Sequence, residues 1–156
     1  MSERQPSVPD AAEPFTIDIA RPPAEVFAFA TDPAHFHEWQ SDVTAAAMVT
    51  GAPDEPGSRF TTTRRIGPTE RTMEQEVVEV DPPFRWRVKG VAGPIRPSAS
   101  VTIEPIDDGA GSRVRFELGF DGQGIGVALL PMVRATARKA APVSYRKLKA
   151  LLEQRP

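Results

Sequence analysis

The sequence predicts an α+β fold in which a curved, seven-stranded antiparallel sheet wraps around one long C-terminal helix, with two short helices between the first two strands. Three observations indicate this fold class. Residues 122–152 contain no acidic side chain and repeat their apolar residues at helical spacing. Seven segments alternate apolar and polar residues, which is typical of strands that bury one face. The only other helical patterns are short and lie between the first and second of those segments.

The composition restricts the function classes to which the chain can belong. A length of 156 residues fits one domain with one core, and a net charge of -2 gives no general attraction to nucleic acid. The absence of cysteine excludes thiolate catalysis and thiolate metal sites, and the two histidines argue against a histidine-rich metal site. We therefore expect no metal and no cofactor. No apolar run reaches the roughly 18 residues of a membrane span, so we expect a cytoplasmic monomer or homodimer without stable membrane association.

The elements follow from the alternation and from the residues that interrupt it. Residues 1–13 are polar and contain prolines, which predicts a disordered leader before a single domain at residues 14–154. Pro23 is suited to the first turn of a helix. Val77 and Val78 interrupt the alternation, so we expect a bulge or a register change there. The predicted elements are strands at 15–19, 43–49, 59–66, 71–80, 84–88, 99–103 and 114–120, short helices at 23–30 and 33–39, and a long helix within 122–155.

The long terminal helix has one apolar face and one basic face. Its apolar side chains are bulky at both ends and small in the middle, which either brings the helix close to the sheet or leaves a hollow beneath it. Pro142 is expected to kink the helix, so the pattern can shift in phase beyond it. Tyr145 falls with the basic residues, and we expect it at the surface. Gly122, Gly124 and Gly126 form either a plain turn or a hinge. The apolar face comprises Leu129, Leu130, Val133, Ala137, Ala140, Ala141, Ser144, Leu148 and Leu151, and the basic face comprises Arg134, Arg138, Lys139, Arg146 and Lys149.

Several short segments carry a resemblance to a known family: IDIARPPAEVFAF at 17–29, TDP at 31–33, Trp39, VEVDPP at 78–83 and LKALLE at 148–153. On these residues the chain resembles the SRPBCC superfamily of START-like and pollen-allergen-like helix-grip proteins, and most of all its bacterial polyketide cyclase/dehydrase-like branch. The resemblance implies a helix-grip fold with an apolar tunnel between the sheet and the terminal helix. It leaves the function open, because this superfamily includes lipid and hormone carriers, aromatase/cyclases and quinone chaperones.

The candidate ligand-binding residues are those that the alternation directs toward such a tunnel. Trp86 and Phe116 are the best candidates, although plain core packing is an alternative reading of each aromatic side chain. We assign no catalytic residue. The expected ligand-binding residues are Trp39, Phe60, Thr62, Arg64, Phe84, Trp86, Val88, Phe116, Leu129, Val133, Ala137 and Ala140.

Arg64 belongs to an unusual strand in which both faces carry arginine and threonine. Whichever face turns inward, it brings an arginine toward the tunnel, and a buried arginine needs a carboxylate or carbonyl partner. One alternative is a salt bridge on the convex face of the sheet with Glu74 or Glu76. The other is that Arg64 orients the polar end of a ligand.

These features favour a binding protein that sequesters or transfers a small hydrophobic molecule of the lipid, polyketide or aromatic type. The alternative is a cyclase or dehydratase that uses the same cavity. Such an enzyme needs a general acid or base, and the candidates Arg64, Glu76 and His37 are scattered along the sequence. A third class is an interaction module with a closed core. The basic face of the helix is either a solvated surface or a contact for anionic lipid during ligand exchange, and we expect no nucleic-acid partner.

Overall fold

The computed structural model describes residues 14–155, so the leader predicted at residues 1–13 lies outside the described residues. Within this range, seven strands and three α-helices follow one another in the predicted order. The strands are β1 (Phe15–Ile19), β2 (Val43–Thr50), β3 (Arg59–Ile66), β4 (Thr69–Asp81), β5 (Arg85–Ala92), β6 (Ile95–Ile106) and β7 (Gly111–Gly122). The helices are α1 (Pro23–Ala30), α2 (Pro33–Trp39) and α3 (Gly126–Glu153), and a short 3-10 turn (Asp107–Gly109) joins β6 to β7.

The strands form one antiparallel sheet in the order β1-β7-β6-β5-β4-β3-β2. Strands β2 to β7 are neighbours in sequence order, and β1 joins the outer edge of β7, so α1 and α2 connect one edge of the sheet to the other. The sheet curves into a half-barrel around α3, which confirms the predicted helix-grip fold class. The irregularity expected near Val78 is also confirmed. Val77 pairs with Val88 whereas Glu79 pairs with Arg87, so Val78 is the extra residue of a bulge.

The two short helices start where the sequence provides a proline in the first turn. The side chain of Asp32 caps α2 by accepting a hydrogen bond from the Ala34 amide at 3.0 Å. The three-residue spacing of Phe36 and Trp39 then turns both rings toward the interior, where each is buried. The start of α2 therefore determines which aromatic rings face the sheet.

The interior contains two separate apolar clusters. The larger cluster lies under α1, α2 and the C-terminal half of α3, and it includes most of the aromatic side chains. The smaller cluster lies under the N-terminal half of α3 and comprises Ile66, Met73, Ile95, Phe120, Leu130, Val133 and Ala137. Ala140 and Ser144, from the small-residue centre of α3, belong to neither cluster. The side chains of α3 are therefore smallest at the point where the two clusters end.

The predicted apolar face of α3 is correct up to Ser144 and needs a correction beyond it. Tyr145, expected at the surface, is 8% exposed, and Leu152 is more deeply buried than Leu151. Residues 141, 145, 148 and 152 are spaced as one helical face, and this face turns inward after Pro142. The shift in phase that an interior proline permits therefore brings the single tyrosine into the core.

The glycines before α3 form a tight junction. A Cβ atom on Gly126 would lie 1.8 Å from the carbonyl oxygen of Pro94, and one on Gly122 would lie 2.7 Å from the carbonyl carbon of Gly126. Gly124 has a φ of +56°. These close approaches require glycine at both ends of the turn. They favour the plain-turn alternative over a hinge.

Candidate functional site

A cavity of about 70 Å³ lies between the sheet and the small-residue centre of α3, where the two apolar clusters meet. Ala137, Ala140 and Ala141 line it from the helix side. Ala99 and Leu118 line it from the sheet, and both remain partly exposed although they point inward. The hollow that small helix residues can leave beneath them is thus present, and it communicates with solvent.

Aromatic rings form one wall of the cavity. The Tyr145 ring stacks on Phe116, with centroids 3.9 Å apart and an angle of 8° between the planes. Trp39 lies next to both rings, at centroid distances of 6.1 Å from Phe116 and 6.3 Å from Tyr145. The Trp86 indole N–H donates to the carbonyl oxygen of Pro53 at 2.9 Å, which holds that ring in place. Together these side chains offer a rigid apolar surface to a flat molecule.

Arg64 supplies a positive charge to the cavity lining. It is turned inward and only 8% exposed. Its Nη1 donates to both carboxylate oxygens of Asp42 at 3.1 Å, and its Nη2 donates to Oε1 of Gln40 at 2.9 Å. The partner that a buried arginine requires is therefore a protein carboxylate from the loop after α2. The predicted pairing with Glu74 and Glu76 on the convex face does occur, but Arg59 makes it, at 3.2 and 3.5 Å.

The hydroxyl of Tyr145 completes the polar part of the cavity. Burial raises the pKa of Tyr145 to about 12, the positive charge of Arg64 opposes this shift, and the negative charge of Asp42 adds to it. The hydroxyl is therefore neutral and protonated at physiological pH. Among residues 14–155, no hydrogen bond engages it, so it can donate to an oxygen atom of a bound molecule.

The loop that carries Gln40 and Asp42 is fastened to α3. The amide of Ser41 donates to Oγ of Ser144 at 2.8 Å, and the two hydroxyl oxygens lie 3.3 Å apart. Ser144 is one of the small residues that line the cavity. The position of Arg64 and the position of the helix centre are thus linked through one loop.

The structure brings seven of the twelve predicted ligand-binding residues to this cavity and leaves five away from it. Phe60 and Thr62 are fully buried behind the wall, where Phe60 stacks on Trp86 and Thr62 donates to Gln75 at 3.0 Å. The residues at the cavity are Trp39, Arg64, Trp86, Val88, Phe116, Ala137 and Ala140.

The other three residues show where the expectation needs correction. Leu129 and Val133 pack with the smaller apolar cluster, one to two turns before the cavity. Phe84 is 43% exposed, because β5 begins one residue later and Phe84 lies in the turn before it. The assumption that Phe84 shares a strand face with Trp86 is therefore wrong.

The polar groups at the cavity that sequence reasoning missed include Gln40, Asp42, Gln75 and Tyr145. Gln75 lies between Met73 and Val77 on the same face of β4, and both of those residues point inward. The strand pattern therefore indicates that Gln75 points inward as well. Tyr145 lies beyond Pro142, where the buried face of α3 has shifted, so a straight extrapolation of the helix pattern assigns it to the basic face. Asp42 lies in a loop, where no periodicity indicates a direction.

Other polar residues of the described range, 14–155, lie away from the cavity. His35 contacts Glu38 at 2.7 Å and stacks on Phe29, and it does not line the cavity. Within residues 14–155, no group of three histidine, aspartate or glutamate side chains could hold a metal ion. None of the described helices is long and apolar enough to cross a membrane.

Comparison with known proteins places this geometry in context. The sequence profile of the family described as "Polyketide cyclase / dehydrase and lipid transport" matches residues 15–153. A START superfamily protein from Mycobacterium smegmatis has a similar structure, with a TM-score of 0.73, 13% identity, and coverage of 91% of this chain and 97% of that protein. The Zhui aromatase/cyclase from Streptomyces sp. R1128 gives a TM-score of 0.73 at 10% identity, with coverage of 92% and 93%.

A third similar structure is the protein TTHA0849 from Thermus thermophilus, with a TM-score of 0.71, 17% identity, and coverage of 89% of this chain and 94% of that protein. No protein of curated function matches the chain. At these identities the three structures support the fold alone.

Proposed function

Since the chain belongs to the polyketide cyclase/dehydrase and lipid transport family, we propose that it binds a small apolar molecule with one oxygen-bearing end in the cavity beneath α3. The observation that carries the proposal is the division of the interior. Two packed clusters meet at a hollow that is lined by aromatic rings and by the Arg64–Asp42 pair. A protein selected only for stability would fill such a hollow, because a cavity loses both apolar contact and packing energy.

The polar groups support a ligand that accepts a hydrogen bond. The neutral hydroxyl of Tyr145 is a donor without a protein partner among the described residues. Two other donors at the cavity, the Nε atom of Arg64 and the indole Nε1 of Trp39, are buried without a hydrogen-bond partner in that range. Buried donors of this kind cost free energy unless a ligand or water satisfies them. A carbonyl or ether oxygen on the ligand fits this environment better than a pure hydrocarbon does.

The cavity volume limits what can enter without a change of conformation. About 70 Å³ is less than half of the roughly 150 Å³ of an engineered cavity that binds benzene. A ring-sized ligand therefore requires side-chain rotation or an outward movement of α3. Affinity then comes from buried apolar area, at about 25 cal/mol per Å², reduced by the free energy of this opening.

A matched pair of ligands tests both features. Acetophenone and ethylbenzene are monosubstituted benzenes of similar size, but only the first carries a carbonyl oxygen. Trp39 and Trp86, the two tryptophans of the chain, both line the cavity, so their indole N–H signals in NMR spectra report binding. We expect the wild-type protein to bind acetophenone more tightly. In Tyr145→Phe we expect acetophenone to bind about five- to tenfold more weakly, with ethylbenzene unchanged, since one hydrogen bond contributes about 1 kcal/mol.

Filling the cavity provides the complementary test. Ala140→Trp places a large ring in the hollow and should abolish binding of both compounds. Ala150→Trp, on the exposed face of the same helix, is the matched control and should bind both normally. Equal binding to the two Trp variants would refute the location of the site. A separate experiment, native mass spectrometry of the protein as purified from cells followed by extraction, would identify the chemical class of any natural ligand.

A cyclase or dehydratase that acts in the same cavity is the second candidate function. The observation that favours it is the grouping of Arg64, Asp42 and the Tyr145 hydroxyl, which places a cation, a carboxylate and a neutral proton donor near one bound molecule. Arg64 and Tyr145 are suited to stabilise an oxygen atom that gains negative charge, for example during ring closure. Conversion of a linear poly-β-ketone thioester to a cyclic product, followed by mass spectrometry, would favour catalysis over binding alone.

A further inference from the structure

One end of the domain is formed by three segments without a single charged residue. They are the β3–β4 turn with the last residue of β3 and the first of β4 (66–69), the β5–β6 turn with the adjoining strand ends (90–95), and the start of α3 with its preceding loop (122–133). We call them together the apolar end. About a quarter of all residues in the chain are charged, so three uncharged segments at one place are a distinct surface.

Contacts in the structure show that these segments converge. The amide of Gln123 donates to the carbonyl oxygen of Pro94 at 2.8 Å, and Gly126 packs closely against the same residue. The sulfur of Met132 lies only 2.9 Å from the position that a Cβ atom on Gly67 would occupy. The first turns of α3 thus join the tips of the two hairpins into one continuous surface.

The apolar end exposes large hydrophobic side chains. Ile125 is 73% exposed, Val127 is 58% exposed and Met132 is 43% exposed. These three account for half of the exposed large hydrophobic residues in the described part of the chain, and they fall within eight positions of one another. Scattered exposed hydrophobics need no explanation, whereas a group of them at one end of a domain indicates a contact surface.

The charges behind this surface are mainly positive. Arg65, Lys89, Arg96 and Arg134 flank the three uncharged segments, against Glu70 and Asp121 on the acidic side. Glu70 pairs with Arg65 at 3.7 Å and this pair adds no net charge, so three cations remain in the flanking positions against the one carboxylate of Asp121. Arg138 and Lys139 follow on the exposed side of α3, within two turns of Met132. An apolar tip with a basic collar complements an anionic lipid surface, where the hydrophobic side chains enter the interface and the cations meet the headgroups.

We propose that the domain docks reversibly and end-on to anionic membranes through the apolar end. Three exposed side chains make only a shallow insertion, so the association is transient rather than stable. The smaller apolar cluster lies directly between this end and the cavity, because it includes Ile66, Ile95 and Leu130 from the three segments and Ala137 from the cavity wall. Docking would therefore place the ligand cavity on the membrane side of the domain. The docking does not depend on the proposed function, but its use for exchange of a ligand with the membrane rests on it.

The test is co-sedimentation of the purified full chain with vesicles. Mixed phosphatidylcholine–phosphatidylglycerol vesicles should bind the protein at low salt, and the binding should weaken as salt is added. Val127→Asp should weaken it by about tenfold or more, because an ionised side chain opposes entry into the lipid interface. An aspartate in the first turn of α3 also complements the helix dipole, so this variant is expected to fold.

Two matched controls separate docking from general effects of charge. Val49 is 54% exposed and lies on β2 beside Arg59, at the opposite end of β3 from the Gly67 turn, so Val49→Asp should bind like the wild type. The double variant Arg138→Glu/Lys139→Glu should lose more binding than Arg146→Glu/Lys147→Glu. The second pair lies eight residues farther along α3, which is about 12 Å and beyond the Debye length of about 8 Å at physiological salt.

Three results would overturn the proposal. They are an absence of binding to anionic vesicles at low salt, equal binding to pure phosphatidylcholine vesicles, and equal loss in Val49→Asp and Val127→Asp. Sedimentation velocity without vesicles tests whether a second copy of the chain occupies the apolar end. A dimer that Val127→Asp dissociates, without any vesicle binding, would show that a second copy of the chain covers this surface instead. Acetophenone binding, measured separately by NMR, keeps a failure of docking distinct from a failure of the proposed function.

Discussion

Titration of Tyr145 provides a direct test of the cavity that needs no ligand. Tyr145 is the only tyrosine in the chain, so the near-ultraviolet absorbance of tyrosinate reports this one residue. Burial raises its pKa to about 12, whereas a tyrosine in the unfolded chain titrates near 10. The absorbance of the folded protein should therefore rise about two pH units later than that of the protein in denaturant.

The same shift predicts how stability changes with pH. Because the folded-state pKa is raised, the folded state holds the phenolic proton more tightly, and the stabilisation is fully present below about pH 10. Between about pH 10 and pH 12 the unfolded state ionises first, so the free energy of unfolding falls as the pH rises. Two pKa units at about 1.4 kcal/mol each correspond to a loss of about 3 kcal/mol.

The variant Tyr145→Phe isolates this contribution from all other alkaline titrations. Urea unfolding of both proteins should show that the wild type loses about 2 kcal/mol more than Tyr145→Phe between about pH 9 and pH 12, where the folded tyrosine is half ionised. An absorbance midpoint near 10 in the folded protein would refute the reasoning. It would mean that the hydroxyl is solvated and does not face a buried cavity.

Three further variants test the site and its surroundings by urea unfolding. Asp42→Ala leaves the buried Arg64 without its carboxylate and should lower the free energy of unfolding by about 3–5 kcal/mol. Glu74→Ala should lower it by less than about 1 kcal/mol, because its partner Arg59 is half exposed. Equal losses in the two variants would contradict the buried pair. Phe116→Ala should cost about 3–5 kcal/mol and Phe84→Ser less than about 0.5 kcal/mol, since only the first is buried. Ser144→Ala should cost about 1 kcal/mol and should speed hydrogen exchange of the Ser41 amide; unchanged exchange would argue against the hydrogen bond between loop and helix.

The fold could be predicted because its signals are local and repeated. Each strand carries its own alternation, and the bulge at Val78 was visible as two successive apolar residues that break it. The sequence alone does not decide which face of β3 points inward, since both faces carry an arginine. The structure places Phe60, Thr62 and Arg64 inside because these residues alternate with the charged Arg59 and Arg65, which find exposed partners.

The site could be predicted only in part, because its polar half depends on contacts between distant segments. Asp42 reaches Arg64 across 22 positions of sequence, and nothing in the loop indicates that its carboxylate turns inward. Tyr145 was misplaced for a different reason. An ideal helix pattern assigns it to the basic face, and the turn of the buried face after Pro142 moves it into the core. A proline inside a helix therefore limits how far a phase can be extrapolated.

The small size of the cavity follows from the same arrangement. The aromatic wall is held by stacking between Phe116 and Tyr145, and the polar part of the lining is held by the hydrogen bonds of Arg64 and Ser144. Enlarging the hollow must break one of these two sets. Separating the loop from Ser144 loses about 1 kcal/mol per hydrogen bond, whereas unstacking buried rings also loses apolar contact area. Opening on the loop side would also separate Asp42 from the buried Arg64, which costs about 3–5 kcal/mol, so either route enlarges the cavity only at a substantial cost in free energy.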